Sequence, residues 1–193
     1  LPCKDPNECL QKGRGEDVIR ALWDAKPYRP DGIVAATELW DKLLESPPKP
    51  VAHYPWPFLD AALSGIRDRE LITITSGTGM GKSTFSRQIA YRMVMDGHKV
   101  GMMMLEENVT RTVRDMLSIH MRRKLHKDSD GVDEETLRKA YDEVFGRDNL
   151  FLYDHFGSTE TDNLLSKMRY MVTSLGVRFI LLDHISIVVS GIG

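Results

Sequence analysis

Nine residues, Ser76-Gly77-Thr78-Gly79-Met80-Gly81-Lys82-Ser83-Thr84, carry the most legible chemistry in this chain. Small residues let consecutive backbone N–H groups turn inward around phosphate oxygens, and a helix opening near Ser83 adds the positive end of its dipole. Lys82 then reaches the β- and γ-phosphates, the Ser83 hydroxyl ligates Mg²⁺, and Thr84 is a weaker second hydroxyl. The pattern G-x-x-x-x-G-K-[ST] holds except at its first letter, which is Ser76. Gly77 and Gly79 are expected to supply the missing backbone freedom. The alternating stretch Leu71-Ile72-Thr73-Ile74-Thr75 predicts a strand leading into the loop, so the setting is strand, loop, helix. A glycine-rich turn ahead of an ordinary helix is the competing explanation. The flanking pattern favours a nucleoside triphosphate site.

Acidic positions at two places fit hydrolysis at such a loop. Phe179-Ile180-Leu181-Leu182-Asp183 is an apolar strand ending in a carboxylate, the form of a Walker B element that holds Mg²⁺ through its water shell. A loop or helix-cap aspartate is the plainer alternative. Glu106 and Glu107 follow the apolar run 99–105, at the carboxyl edge where α/β sheets keep their ligands. One of them could polarise an attacking water. Spacing leaves the two equal, with simple solvent exposure as a third option.

Positioning these groups requires alternating strands and helices. Helices are expected over 83–96, stopped by Gly97, over 110–127, over 134–145 with Glu134/Arg138 and Glu135/Lys139 as supporting pairs, and over 162–175. Strands are expected over 99–105, 150–153 and 178–182, which implies a parallel sheet with right-handed crossovers. Met102, Met103 and Met104 read as core filler rather than metal ligands. Ahead of this α/β unit, apolar spacing predicts short helices over 16–25 and 38–45, the second capped by Thr37 with Leu39, Trp40, Leu43 and Leu44 as its stripe. Prolines at 47, 48, 50, 55 and 57 mark a junction before a domain beginning near Phe58.

With 193 residues, 41% of them apolar, the chain suits one domain plus attached sequence. A net charge of −2 gives no global attraction to nucleic acid. The cations Arg111, Arg114, Arg122, Arg123, Lys124 and Lys127 read as a solvated face or a subunit contact rather than a DNA surface. No apolar run approaches the ~20 residues that span a bilayer, and the first residues lack signal-peptide organisation, so a cytoplasmic setting is expected. Cys3 and Cys9 suggest neither a disulfide framework nor a zinc site.

The order of these blocks resembles the RecA-like core of superfamily 4 hexameric helicases, and more closely the bifunctional primase-helicases of podophages, relatives of mitochondrial Twinkle. The resemblance rests on Leu1-Pro2-Cys3-Lys4-Asp5-Pro6-Asn7-Glu8, Pro30-Asp31-Gly32-Ile33-Val34, residues 75–85, Met104-Leu105-Glu106-Glu107, Leu152-Tyr153-Asp154, Glu160-Thr161-Asp162 and residues 182–189, in order along nearly the whole chain. It implies an α/β P-loop NTPase fold with an incomplete parallel sheet and a helical linker ahead of it. The division would be 1–34 as a remnant of a Toprim primase domain, 35–57 as linker, and 58–193 as the first part of the helicase domain. The implied activity is 5′ to 3′ unwinding of DNA at the replication fork, fuelled by Mg²⁺ with ATP or dTTP.

By the same resemblance Lys82 and Ser83 bind phosphate and Mg²⁺, Asp183 is the Walker B carboxylate, and Glu106 is the catalytic base because it directly follows Leu105. Asp5 matches the last Toprim acid, a metal ligand without the rest of its fold. Helix 37–45 would dock on a neighbouring subunit of a hexameric or heptameric ring, and partners would be single-stranded and forked DNA and a replicative polymerase. A phage protein in the bacterial cytoplasm is the expected setting, ahead of a mitochondrial one. The chain reads as a fragment, with the family's γ-phosphate sensor, DNA-contacting loops and arginine finger expected beyond Gly193, so that alone it would turn over little. A RecA-type recombinase or clock protein would share the core without the Toprim remnant and linker helix. A noncatalytic assembly module would keep that helix and hydrolyse nothing.

Overall fold

The computed structural model describes residues 1–25, 30, 32–125, 131–154 and 161–183, with the side chains of 161–163 left aside. Two compact units result, Leu1–Pro47 and Pro48–Gly193.

In the first unit α1 (Pro6–Gln11) starts at a reciprocal cap. The Glu8 N–H, an orphan donor of the first turn, donates to Asp5 Oδ1 at 2.8 Å, and Glu8 Oε2 accepts from the N–H of Lys4, one residue ahead of the cap, at 2.9 Å. Helix α2 (Gly15–Trp23) packs on α1 over the fully buried Cys9. A hydrogen bond from Cys9 to the Cys3 side chain pushes the Cys3 thiol pKa up, and both thiols are free.

The helix expected over 38–45 does not form as one piece. A 3₁₀ turn, Ala36–Glu38, takes in Thr37, which therefore caps nothing, and α3 is a single turn, Trp40–Leu43. Leu39, at φ −100° and ψ 4°, breaks the two apart. The reason is cooperative: a helix much shorter than about 12 residues gains too little from its own hydrogen bonds unless packing supports it. Here Trp40, Leu43 and Leu44 are all exposed.

The second unit begins earlier than the proline junction suggests. Ala52 bridges Ile66 in antiparallel fashion, and the Cβ of any residue replacing Gly65, at φ +77°, would lie 2.5 Å from the Pro50 Cβ. Asp60, on α4 (Pro57–Leu63), accepts from the Tyr54 backbone N–H at 2.9 Å and meets His53 Nδ1 at 2.8 Å. The Tyr54 hydrogen bond, followed by the His53 contact, holds the Asp60 carboxyl below its ordinary range. Trp56 then stacks on Phe85 with ring centroids 4.5 Å apart and planes 7° from parallel, fixing this segment to the first turn of α5 (Lys82–Met95).

The sheet follows the α/β pattern. Strands β1 (Val100–Met104), β2 (Leu150–Leu152) and β3 (Phe179–Asp183) are parallel in the order β2-β1-β3, with Val100 level with both Leu150 and Phe179. Side chains alternate across it. Val100, Met102 and Met104 join the core formed with α5, α6 (Val109–His120) and α7 (Glu134–Phe145), while Met103 and Leu105 join the core under α8 (Thr161–Thr173). Burial on both faces explains why the run reads as continuously apolar, and the methionines are filler. Gly101 admits α8 closely, since a Cβ there would meet Met171 Sδ at 2.8 Å.

Several expected boundaries move. Helix 110–127 is α6, begun by an Asn108 cap and ended at Met121, so Arg122, Arg123 and Lys124 lie past it in a turn with Arg122 at φ +51°; Lys127 lies outside the described residues. On α7 Arg138 pairs forward with Asp142 at 3.1 Å instead of back to Glu134. The strand expected over 71–75 is absent: the stretch makes no ladder, and Leu71 is 93% exposed. Alternation shows a capacity to pair, but a strand exists only when another strand supplies the hydrogen bonds.

Candidate functional site

The geometry of the site follows from how α5 is pinned at its far end. Gly97, at φ +88°, ends the helix, and the chain turns directly into β1. Buried Asn149, just before β2, donates from Nδ2 to the carbonyls of Val94 at 2.8 Å and His98 at 3.0 Å, and Arg147 donates to the Met95 carbonyl at 2.9 Å. The C-terminus of α5 is therefore tied to the edge where the strands begin. Fourteen residues at 1.5 Å each run about 21 Å back, so the N-terminus and its loop lie toward the edge where the strands end.

That N-terminus is built for an anion. Gly81, the cap residue, has φ +90° and no side-chain cap bond, leaving the first N–H groups of α5 without a side-chain acceptor. Gly79 is also left-handed, at φ +76°, whereas Gly77 is not, so the backbone freedom resides at 79 and 81 rather than at 77 and 79 as expected. Nothing crowds a Cβ at either position, so conformation alone demands glycine. Gly81→Ala should cost about 1–2 kcal/mol of loop stability, because the left-handed region penalises a Cβ. A nucleotide titration in which the alanine variant binds as tightly as the parent would refute this reading of the loop.

Lys82 Nζ donates to the carbonyls of Ser76 at 2.9 Å and Gly77 at 3.1 Å, which holds the ammonium against the loop beside those N–H groups. The chemistry of this set, an uncapped helix end with an adjacent ammonium, fits a polyphosphate. Ser83 and Thr84 follow in the first turn, with Thr84 exposed. Asp183 ends β3 level with Met104, and its carbonyl accepts from the Leu105 N–H at 2.7 Å. Its backbone thus lies at the same sheet edge as the residues after Leu105, and its carboxylate, like the Ser83 hydroxyl, is an oxygen donor of the kind Mg²⁺ takes.

The two glutamates, equal by spacing, separate in space. Glu106 is exposed, whereas the Glu107 side chain is 7% exposed and heavily engaged. Its Oε1 accepts from Thr112 Oγ1 at 2.7 Å, its Oε2 accepts from Arg87 Nη2, and Arg111 Nε stands 3.4 Å from Oε2. Arg87 Nη1 also reaches Asp115 Oδ2 at 3.2 Å. Glu107 accordingly joins α5 to the start of α6. Sequence reading missed this network, although a signal existed: Arg87 falls on the helical stripe of Ala90 and Val94, and a buried guanidinium calls for a carboxylate.

Asp5, far away in sequence, serves as the α1 cap described above, and among the described residues no group of three potential metal-ligating side chains occurs. Among those residues no helix is long and apolar enough to cross a membrane.

Residues 55–192 match the family described as the DnaB-like helicase C terminal domain. The chain belongs to the DnaB-like helicases. It is also 42% identical over 204 aligned positions to a DNA helicase/primase of Enterobacteria phage T3, covering 98% of this chain and 35% of that protein. The chain thus spans about a third of the length of that curated relative. Within the DnaB-like family, the three-stranded parallel sheet with its flanking helices is the RecA-like α/β core expected above.

Proposed function

We propose that this chain is the nucleotide-hydrolysing part of a replicative DNA helicase, the helicase portion of a phage primase-helicase that unwinds duplex DNA 5′ to 3′. The observation that carries this is the match over 55–192, joined to the phosphate loop and Asp183 at one edge of a parallel sheet. DnaB-like helicases use a nucleoside triphosphate with Mg²⁺, form hexamers and bind DNA. In this chain ATP or dTTP would lie with its phosphates in the loop 76–84, Lys82 on the β- and γ-phosphates, and Mg²⁺ between Ser83 and Asp183. Mg²⁺ supplies charge neutralisation at the transferred phosphoryl group. Glu106 would take the proton of the attacking water, and Asp5 would belong to the primase metal site of the whole protein. Lys82→Ala should weaken triphosphate binding without altering the fold. Binding at parental affinity, in protein with unchanged circular dichroism, would refute the loop's role.

Ring assembly would use the segment 37–45. Its support is the exposure of Trp40, Leu43 and Leu44, an apolar stripe that needs a partner to complete a helix. Leu39, Trp40 and Leu43 replaced by Ala should dissociate oligomers in sedimentation velocity while leaving the melting transition of the α/β unit in place. Unchanged assembly, or loss of the whole fold, contradicts this docking role.

A further inference from the structure

The two cysteines of the chain, Cys3 and Cys9, carry chemistry that nucleotide hydrolysis does not use. Both thiols are free, and a hydrogen bond joins them. The start of α1 brings them together. Asp5 caps the helix and Glu8 Oε2 holds the Lys4 N–H, which folds the segment ahead of the cap back over the turn that contains Cys9. Side chains just before a cap and in the fourth helical position meet there in the manner of a hydrophobic staple. Their surroundings differ: Cys9 is fully buried where α2 packs on α1, whereas Cys3 is only partly covered.

We infer that Cys3 and Cys9 form a dithiol that closes to a disulfide by exchange with a small-molecule disulfide such as oxidised glutathione. The Cys3 thiolate, the one that solvent reaches, attacks one sulfur of the oxidant and releases the first glutathione thiolate. Cys9 then gives up its proton and attacks the Cys3 sulfur of the mixed disulfide, displacing the second. Two protein thiols are oxidised, one disulfide is reduced to two thiols, and both protons pass to the released thiolates. The ring so formed runs from residue 3 to residue 9 and encloses the reciprocal cap of Asp5 and Glu8, so oxidation holds the start of α1 even when that cap opens. The hydrogen bond with Cys9, followed by burial, raises the Cys3 thiol pKa, while Lys12 works against the rise. Thiolate is therefore scarce at neutral pH, and below that pKa the first exchange should quicken about tenfold for each pH unit.

The test equilibrates the full chain with reduced and oxidised glutathione, natively and in denaturant, then quenches with acid and alkylates the remaining thiols. Trypsin cuts after Lys4 and Lys12, so the peptides carrying Cys3 and Cys9 stay joined only through the disulfide. Native structure should raise the equilibrium constant for closure above that of the denatured chain, by up to roughly 50-fold for a ring of this length. Cys9→Ala, which removes the resolving thiol, should stop at a mixed disulfide of Cys3 with glutathione. A closure constant no greater in the native chain than in denaturant overturns the inference. So does a native parent chain that ends as the Cys3 mixed disulfide, or with both thiols alkylated, at a glutathione ratio that closes the denatured chain.

Discussion

Glu106→Gln should slow nucleotide hydrolysis by about 10²- to 10⁴-fold, or roughly 3–5 kcal/mol of barrier, and leave nucleotide binding close to that of the parent. Glu106 is exposed, one residue past Leu105 at the edge shared with Asp183, and in the function proposed above it takes the proton of the attacking water. Glutamine keeps the shape and removes the basicity, so a binding role and a proton-accepting role part cleanly. Steady-state turnover and equilibrium nucleotide affinity, measured side by side, decide the matter. Full turnover by Glu106→Gln would move the base to another residue.

The neighbouring substitution should act through a different quantity. Glu107→Gln leaves Arg87 buried without its main counter-charge, and breaking such a pair from one side costs about 3–5 kcal/mol. For a unit of this size that corresponds to a fall of order 10 °C in melting temperature. Activity lost through Glu107 should therefore track unfolding and return on cooling. Pairing Arg87→Met with Glu107→Leu should recover part of the loss, since replacing both charges by apolar groups removes the unpaired ion. A Glu107→Gln protein with parental melting temperature and no turnover would reverse the assignment of the two glutamates.

The contrast between 106 and 107 shows where sequence reading stops. Both are glutamates after the same apolar run, and no periodicity distinguishes them. What does is burial together with Arg87, twenty residues away on α5, which pairs with Glu107. The cations on and after α6 behave likewise: their number is plain in the sequence, but the places of Arg122, Arg123 and Lys124 depend on a helix that ends at Met121 rather than continuing to 127.

By itself the sequence determined the glycine-rich loop with the helix after it, the apolar strand ending in Asp183, the order of elements from α5 to β3, and the family. Those signals are local, because loop conformation follows from glycine at fixed spacing and burial follows from side-chain period. Tertiary structure alone decided that 71–75 stays unpaired, that 36–43 breaks into two turns, that Asn149 anchors the end of α5, and that Glu107 serves packing. Each of these depends on a partner distant in the chain. Strand hydrogen bonds, marginal helices and buried charges take their stability from such partners, and propensity cannot name them.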